Sequence, residues 1–541
     1  MGFPSRPAIG RWHVMLAAGW LLVSAPGVAA DTYFIATDGD DEGSGTIEDP
    51  FATFEHAIDV VDAGDTLFVR GGTYLLDRNI EIDKAGTSGC PICVWAYGDE
   101  TPILDFSNNP RHANPPQPRD DDTVAGTSDA LGIYVADGSD WWHVKGLTLQ
   151  HAPYYGVRVY GSHNIFERLV LRDHQAAGLE ITGKEGWSPS YNRVIDCDSY
   201  HNFDPQTNGE DADGFAAKFE TLGPGNVFSG LRSWANSDDG FDFWHATHPV
   251  LIEHCWSFDN GFFRPEWEEQ VQGSWRGDGL GFKLGQDASE LVLHHVAAFG
   301  NKAFGIDENG NGSARGVTIH NATLVNNAKD GNPIQIQLND GRPHTVRNTI
   351  AFDVDGAGVT SFSPEVDDAY NTWNGLGVSE ADFLSLDMTQ LLANAAAPRA
   401  SDGSLPAIGL HLHPSSHLID AGIDVGLPYN GDAPDLGAFE TDGTLAATPG
   451  HAARPEHLGL QVAPNPFALG TAVRLQLDTR SRTSLEIFDS RGRLVRALRT
   501  RAGVITWDGR DHAGRPMGSG TYWVRLASGE SRAGTKIVAF R

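Results

Sequence analysis

Five short segments, each ending in asparagine, constrain the fold of this chain more than any other feature. They are VIDCDSYHN (194–202), FSGLRSWAN (228–236), IEHCWSFDN (252–260), LHHVAAFGN (293–301) and IHNATLVNN (319–327). Two residues before each Asn stand Tyr200, Trp234, Phe258, Phe299 and Val325, and five before it stand Cys197, Leu231, Cys255, Val296 and Ala322. Apolar residues therefore recur in register, with steps of 34, 24, 41 and 26 residues between the asparagines. A coil of roughly 24 residues with variable insertions, built from short alternating strands, predicts a parallel β-helix. Coils stack about 4.8 Å apart, so one column of side chains lies above the next. The repeated Asn is expected to form a buried amide ladder. Cys197 and Cys255, two coils apart, are too distant for a disulfide.

Around this repeat the chain is organised in four parts. Arg6 and Arg11 precede the apolar run Met15–Val23, and Val28-Ala29-Ala30 supplies small residues, so residues 1–30 read as a cleaved export signal. The run is too short for a spanning helix, which takes about 20 apolar residues. Residues 31–440 form the β-helix, opened by an amphipathic helical stretch, Phe54–Val61, that would cap its exposed end. Residues 441–457, rich in Ala, Gly, Thr and Pro, read as a linker. Residues 458–541 alternate apolar and polar in about seven short strands and predict a small β-sandwich. Charge divides the same way: the net charge is -32, but residues 458–541 carry 14 Lys plus Arg against 6 Asp plus Glu. An acidic balance this strong excludes a nucleic-acid binder, and four cysteines exclude a disulfide scaffold. In an oxidising exterior Cys90 and Cys93 could be bridged.

A second alignment locates the chemistry. ADGFAAK (212–218), DDGFDFW (238–244), GLGFKLG (279–285) and AFGIDEN (303–309) place Phe215, Phe241, Phe282 and Ile306 in one core column. One position later, Ala216, Asp242, Lys283 and Asp307 form an outward-facing column; two positions earlier, Asp213 and Asp239 stack on adjacent coils. With Asp238, four carboxylates (Asp213, Asp238, Asp239, Asp242) converge on two coils beside Lys283. Stacked like charges repel and call for a cation, and oxygen ligands without His or Cys suit calcium. Lys218, Trp244, Arg276 and Lys302 are candidate contacts to an acidic or sugar ligand.

These segments resemble the polysaccharide lyase family 9 pectate lyases, from ADGFAAK through GPGNVFSGLRSWANSDDGFDFW to GFKLG and NKAFGIDENGNG. The resemblance implies a calcium-dependent right-handed β-helix enzyme acting on polygalacturonate, with Asp213, Asp238, Asp239 and Asp242 as calcium ligands and Lys283 as base. Removal of the C5 proton, α to a carboxylate, would expel the 4-O-linked sugar by β-elimination. The chain departs from the family pattern in FFRPEWEEQVQGSWRGD (262–278). The last module, with APNPF, IFDSRGRLVR and WDGRDHAGRPMGSGTYWVRL, is similar to the Ig-like domain of flagellar hook-capping proteins and to secretion or sorting domains. That implies a bacterial enzyme, secreted or attached to the cell surface, with outer-membrane secretion machinery as a partner; the alternative for this module is a spacer or carbohydrate-contacting accessory domain, and the protein is expected to be a monomer. Two alternatives remain: a β-helix glycoside hydrolase using Asp238 with Asp239 or Asp213, and a calcium-stabilised surface adhesin without catalysis.

Overall fold

The computed structural model describes residues 30–113, 128–219, 221–285, 290–309, 316–328, 332–339, 341–354 and 358–441, and the strands with short adjoining stretches between 460 and 540. The export signal, all but its last residue, and the linker from 442 onward lie outside the described residues. The chain divides into two compact units, Met1–Ala446 and Ala447–Arg541.

The first unit is the parallel β-helix that the repeat predicts. Its strands form three parallel sheets, of 12, 10 and 10 strands, and every pairing joins the same face of successive coils. The predicted columns hold. Phe215, Phe241, Phe282 and Ile306 are register partners and fully buried. Cys197, Leu231, Cys255, Val296 and Ala322 also point into the core, each at 0 % exposure. All four cysteines are free thiols, so the possible Cys90–Cys93 bridge is absent.

The asparagine ladder sets the register of the corner next to the site. The side-chain amide of Asn202 donates to Asn236 Oδ1 at 2.8 Å, Asn236 to Asn260 at 3.0 Å, Asn260 to Asn301 at 3.0 Å, and Asn301 to Asn327 at 2.9 Å. Each Oδ1 also accepts the main-chain N–H of the Asn one coil below, as at Asn236 N to Asn260 Oδ1. A buried polar row is tolerated because both its donors and its acceptors are satisfied.

The column two residues before each Asn faces away from the core. Tyr200, Trp234, Phe258 and Phe299 stack face to face at 4.3, 5.4 and 5.0 Å. Thr360–Phe362 and Asp367–Ala369 are still coil strands, paired with the strands one coil before them; beyond them, helix α2 (Met388–Ala395) and the chain up to 439 cover the aromatic stack with Leu391, Leu410 and Leu436. Helix α1 (Phe54–Val60), N-capped by Thr53, buries Phe54, Ala57 and Ile58 over the first coil. It is one residue shorter than the predicted stretch.

Among its described residues the second unit holds eight strands where the sequence suggests about seven. They run Leu460–Ala463, Phe467–Ala468, Val473–Leu477, Thr483–Asp489, Leu494–Thr500, Val504–Trp507, Gly520–Ser528 and Ser531–Phe540. The extra one is the two-residue strand Phe467–Ala468, too short to show alternation. They form a three-stranded and a five-stranded sheet.

Candidate active site

Three consecutive strands of one ten-stranded sheet carry the site: Phe215–Lys218, Phe241–Asp242 and Phe282–Lys283. The preceding Asp-Gly pairs are locally required. A Cβ on Gly214 would lie 1.9 Å from Ser233 Oγ, and one on Gly240 would lie 2.0 Å from Ser257 Oγ. Those serines accept from the ladder asparagines Asn236 and Asn260. Glycine thus lets the chain pass the ladder closely enough for Asp213 and Asp239 to turn into the site. Ala216, Asp242, Lys283 and Asp307 are register partners, as the alignment predicts.

The column of Asp242, Lys283 and Asp307 faces away from the apolar core, as predicted, but the carboxylates are not on an open face. Asp213, Asp238, Asp239 and Asp242 are at most 3 % exposed. Lys218, Lys283 and the main chain of Asp211 and Asp278 close over the acids. Oxygens of Asp213, Asp239 and Asp242 lie within 4.8 Å of one another, as do those of Asp238, Asp239 and Asp278. Lys283 Nζ is 3.0 Å from Asp239 Oδ2 and 3.6 Å from Asp242 Oδ2. Main-chain donors complete the cage, with Asp239 N to Asp213 Oδ1 at 3.2 Å, Leu280 N to Asp239 Oδ1 at 2.7 Å and Trp244 N to Asp242 Oδ1 at 2.9 Å.

Burial pushes the Asp213 carboxyl up to about 6 and that of Asp239 to about 8, and holds Asp238 well above the ordinary range. Asp242 moves the other way: burial would raise it, but the ammonium groups of Lys218 and Lys283 hold it low. Burial would lower Lys283, yet Asp239, Asp242, Asp238 and Asp213 outweigh it and keep the lysine well above its usual value.

These residues fit a divalent cation. Four buried carboxylates against Lys218 and Lys283 leave a formal charge of about -2, and neither acidic trio contains His or Cys. The lysine beside them could take a proton once neutral, since a base must lie within hydrogen-bond reach of its substrate.

Comparison with known proteins places the fold in a family. Residues 33–348 match the family described as Pel9A-like, right-handed β-helix region. The chain belongs to this Pel9A-like β-helix family. It is 35% identical to pectate lyase L of Dickeya dadantii over 452 residues, 79% of this chain and 97% of that one. It is 31% identical to pectate lyase PEL9 of Emericella nidulans, over 74% of this chain and 96% of that one. The crystal structure of pectate lyase Pel9A superimposes with a TM-score of 0.65 at 34% identity, covering 77% of this chain and 98% of the other. This member of the Pel9A-like family is a polysaccharide lyase with a right-handed helix.

The remaining candidates lie in different surroundings. Lys218 is a buried member of the cluster, its Nζ 2.8 Å from both Asp213 Oδ2 and Asp242 Oδ2, because its strand follows Asp213 on the same coil and pairs with the strand of Asp242 on the next. Arg276 is exposed but paired with Glu210. Lys302 Nζ donates to Gly277 O at 2.6 Å. Trp244 is half-buried, edge-on to Phe219 at 5.8 Å. Asp278 was not singled out by the sequence; it lies in segment 262–278, outside the coil register, and only its proximity to Asp238 and Asp239 reveals it.

Proposed function

We propose that this protein is a calcium-dependent pectate lyase that cleaves polygalacturonate by β-elimination. The observation that supports it best is Lys283, one register position above Asp242 and in contact with Asp239, at the edge of a buried four-carboxylate cluster. The pectate lyase relatives and the Pel9A superposition support the substrate class.

Asp213, Asp238, Asp239 and Asp242 would hold the calcium. A calcium ion held there would supply positive charge to a substrate carboxylate and so make the neighbouring C5 proton more acidic. Lys283, held between Asp239 and Asp242, takes that proton on Nζ. The electron pair forms the C4–C5 double bond as the C4–O bond breaks and the glycosidic oxygen leaves with the departing chain. Lys218 fixes Asp213 and Asp242 by ion pairs to both. The same carboxylates that raise the pKa of Lys283 are those a cation would neutralise, so calcium lowers the cost of the neutral lysine and an alkaline optimum follows.

Residues 1–30 direct export, and the second unit is an Ig-like sorting or accessory domain. Among the described residues no helix is long and apolar enough to cross a membrane. The test is ultraviolet absorbance of the conjugated unsaturated product from polygalacturonate at alkaline pH, with calcium and with chelator. A calcium-dependent rise supports the reading; new reducing ends without absorbance would mean hydrolysis and overturn it.

A further inference from the structure

Segment 262–278 leaves the coil and returns to it at nearly the same place, since a Cβ on Gly261 would lie 2.3 Å from Gly279 Cα. Its one regular element is the short turn Pro265–Trp267. The segment is held by aromatic packing: Trp267 stacks on Phe203 at 4.8 Å and on Trp275 at 5.7 Å, with planes within 9°. Trp275 lies flat against Gly209, where a Cβ would come within 2.7 Å of its ring, and its Nε1 donates to Gly261 O at 2.7 Å. Asn208 joins the two stretches, its Oδ1 accepting from Gln272 N at 2.7 Å and its main-chain oxygen from Arg276 N at 3.0 Å. The loop 203–211 and segment 262–278 are therefore one packed unit.

Both halves of that unit grip the same side chain. Asp211 N donates to Asp238 Oδ2 at 3.0 Å, and Asp278 N donates to Asp238 Oδ1 at 2.7 Å. Asp213, Asp239 and Asp242 each touch a lysine ammonium, whereas Asp238, among the described residues, is held by these main-chain N–H groups. Each carboxylate oxygen has two lone pairs, so one hydrogen bond per oxygen fixes the group while leaving a lone pair for a ligand. Lys302 Nζ, on Gly277 O, immobilises the carbonyl next to the Asp278 N–H.

We infer that Trp275 is a positioning residue for the cation site: by seating segment 262–278 on loop 203–211, it delivers the Asp278 N–H to Asp238 and presets that ligand. The inference rests on the reading of Asp213, Asp238, Asp239 and Asp242 as calcium ligands. A preset ligand costs no ordering when the cation arrives, and outer partners of this kind typically change metal affinity by about 10–100-fold. The carboxylate of Asp278 is not needed for this role, only its main chain.

Calorimetric calcium titration of the full chain tests it, with thermal unfolding in chelator as a check of folding. Trp275→Ala should bind calcium about ten-fold or more weakly, and Trp275→Phe, which keeps a ring against Gly209, should stay within about three-fold of the parent. At saturating calcium the Trp275→Ala kcat should fall less than its calcium affinity. Asn208→Gly removes the acceptor for Gln272 N at a residue whose φ of 60° suits glycine, and should also weaken calcium binding. Parental affinity in Trp275→Ala overturns the inference, and if that variant does not fold, parental affinity in Asn208→Gly does so. Failure of the parent itself to bind calcium would instead remove the reading beneath it.

Discussion

Lys218 Nζ sits 2.8 Å from Asp242 Oδ2, with its strand one coil below, and the same ammonium reaches Asp213 Oδ2 at 2.8 Å. Lys218 is buried, and the two aspartates outweigh the burial that would otherwise lower its pKa. Removing one partner of a buried pair leaves uncompensated charge, at a cost of about 3–5 kcal/mol. Lys218→Met should therefore lower the melting temperature in chelator, and calcium should restore more of the loss than it adds to the parent. Equal melting temperatures of variant and parent in chelator would contradict this.

Asp239 is the one residue common to both acidic trios. Asp239→Ala should reduce calcium affinity by about 100-fold or more, and activity with it, since a hard cation depends on the number of carboxylate oxygens around it. Calorimetric titration and turnover at fixed calcium check the two together. An unchanged titration would remove Asp239 from the cage.

Gly240 carries Asp239 past the ladder. In Gly240→Ala the new Cβ would meet Ser257 Oγ at 2.0 Å and Gly281 O at 2.7 Å. Relieving such an overlap costs about 1–3 kcal/mol and shifts the strand that bears Asp239 and Asp242. The expected result is a lower denaturation midpoint together with weaker calcium binding. A stable variant with parental calcium affinity would show that the ladder and the site are not coupled.

Much of this was legible in the sequence because a β-helix converts spacing into position. The ladder follows from aligning the segments on their terminal Asn, and the core phenylalanine column and the adjacency of Asp242 and Lys283 from aligning the residues after glycine. The fate of Lys218 did not follow, because a register column gives the side of the sheet a residue leaves from, and its partner depends on how a long side chain bends. Nor did the burial of the aspartates, which is produced by connections of irregular length. Segment 262–278 has no periodicity to align, so neither Asp278 nor the stack of Phe203, Trp267 and Trp275 could be placed. The aromatic column from Tyr200 to Phe299 was visible as a repeat, but its cover comes from a tail more than 80 residues further along the chain.

A histidine patch on another face predicts acid sensitivity. His294 and His320 are register partners with parallel rings 5.5 Å apart, and His254 stacks on His295 at 4.9 Å. Burial lowers all four, to about 4 for His295 and His320, from an ordinary value of 6.5. The unfolded chain then takes up more protons than the folded one below pH 6.5, so this stability is present above 6.5 and is lost as pH falls toward 4. Thermal unfolding across that window should show a steeper decline for the parent than for His295→Gln/His320→Gln. Identical slopes would remove the histidines as the cause.

The central claim is that Lys283 is the base. The most direct test is formation of the unsaturated product by Lys283→Ala at alkaline pH with saturating calcium, alongside calorimetric calcium titration of the same variant. Loss of the base should lower turnover by about 10²–10⁴-fold or more. Calcium binding should be as tight as in the parent or tighter, because Asp239 and Asp242 lose a competing ammonium. Turnover near the parent's in a variant that still binds calcium would contradict the account.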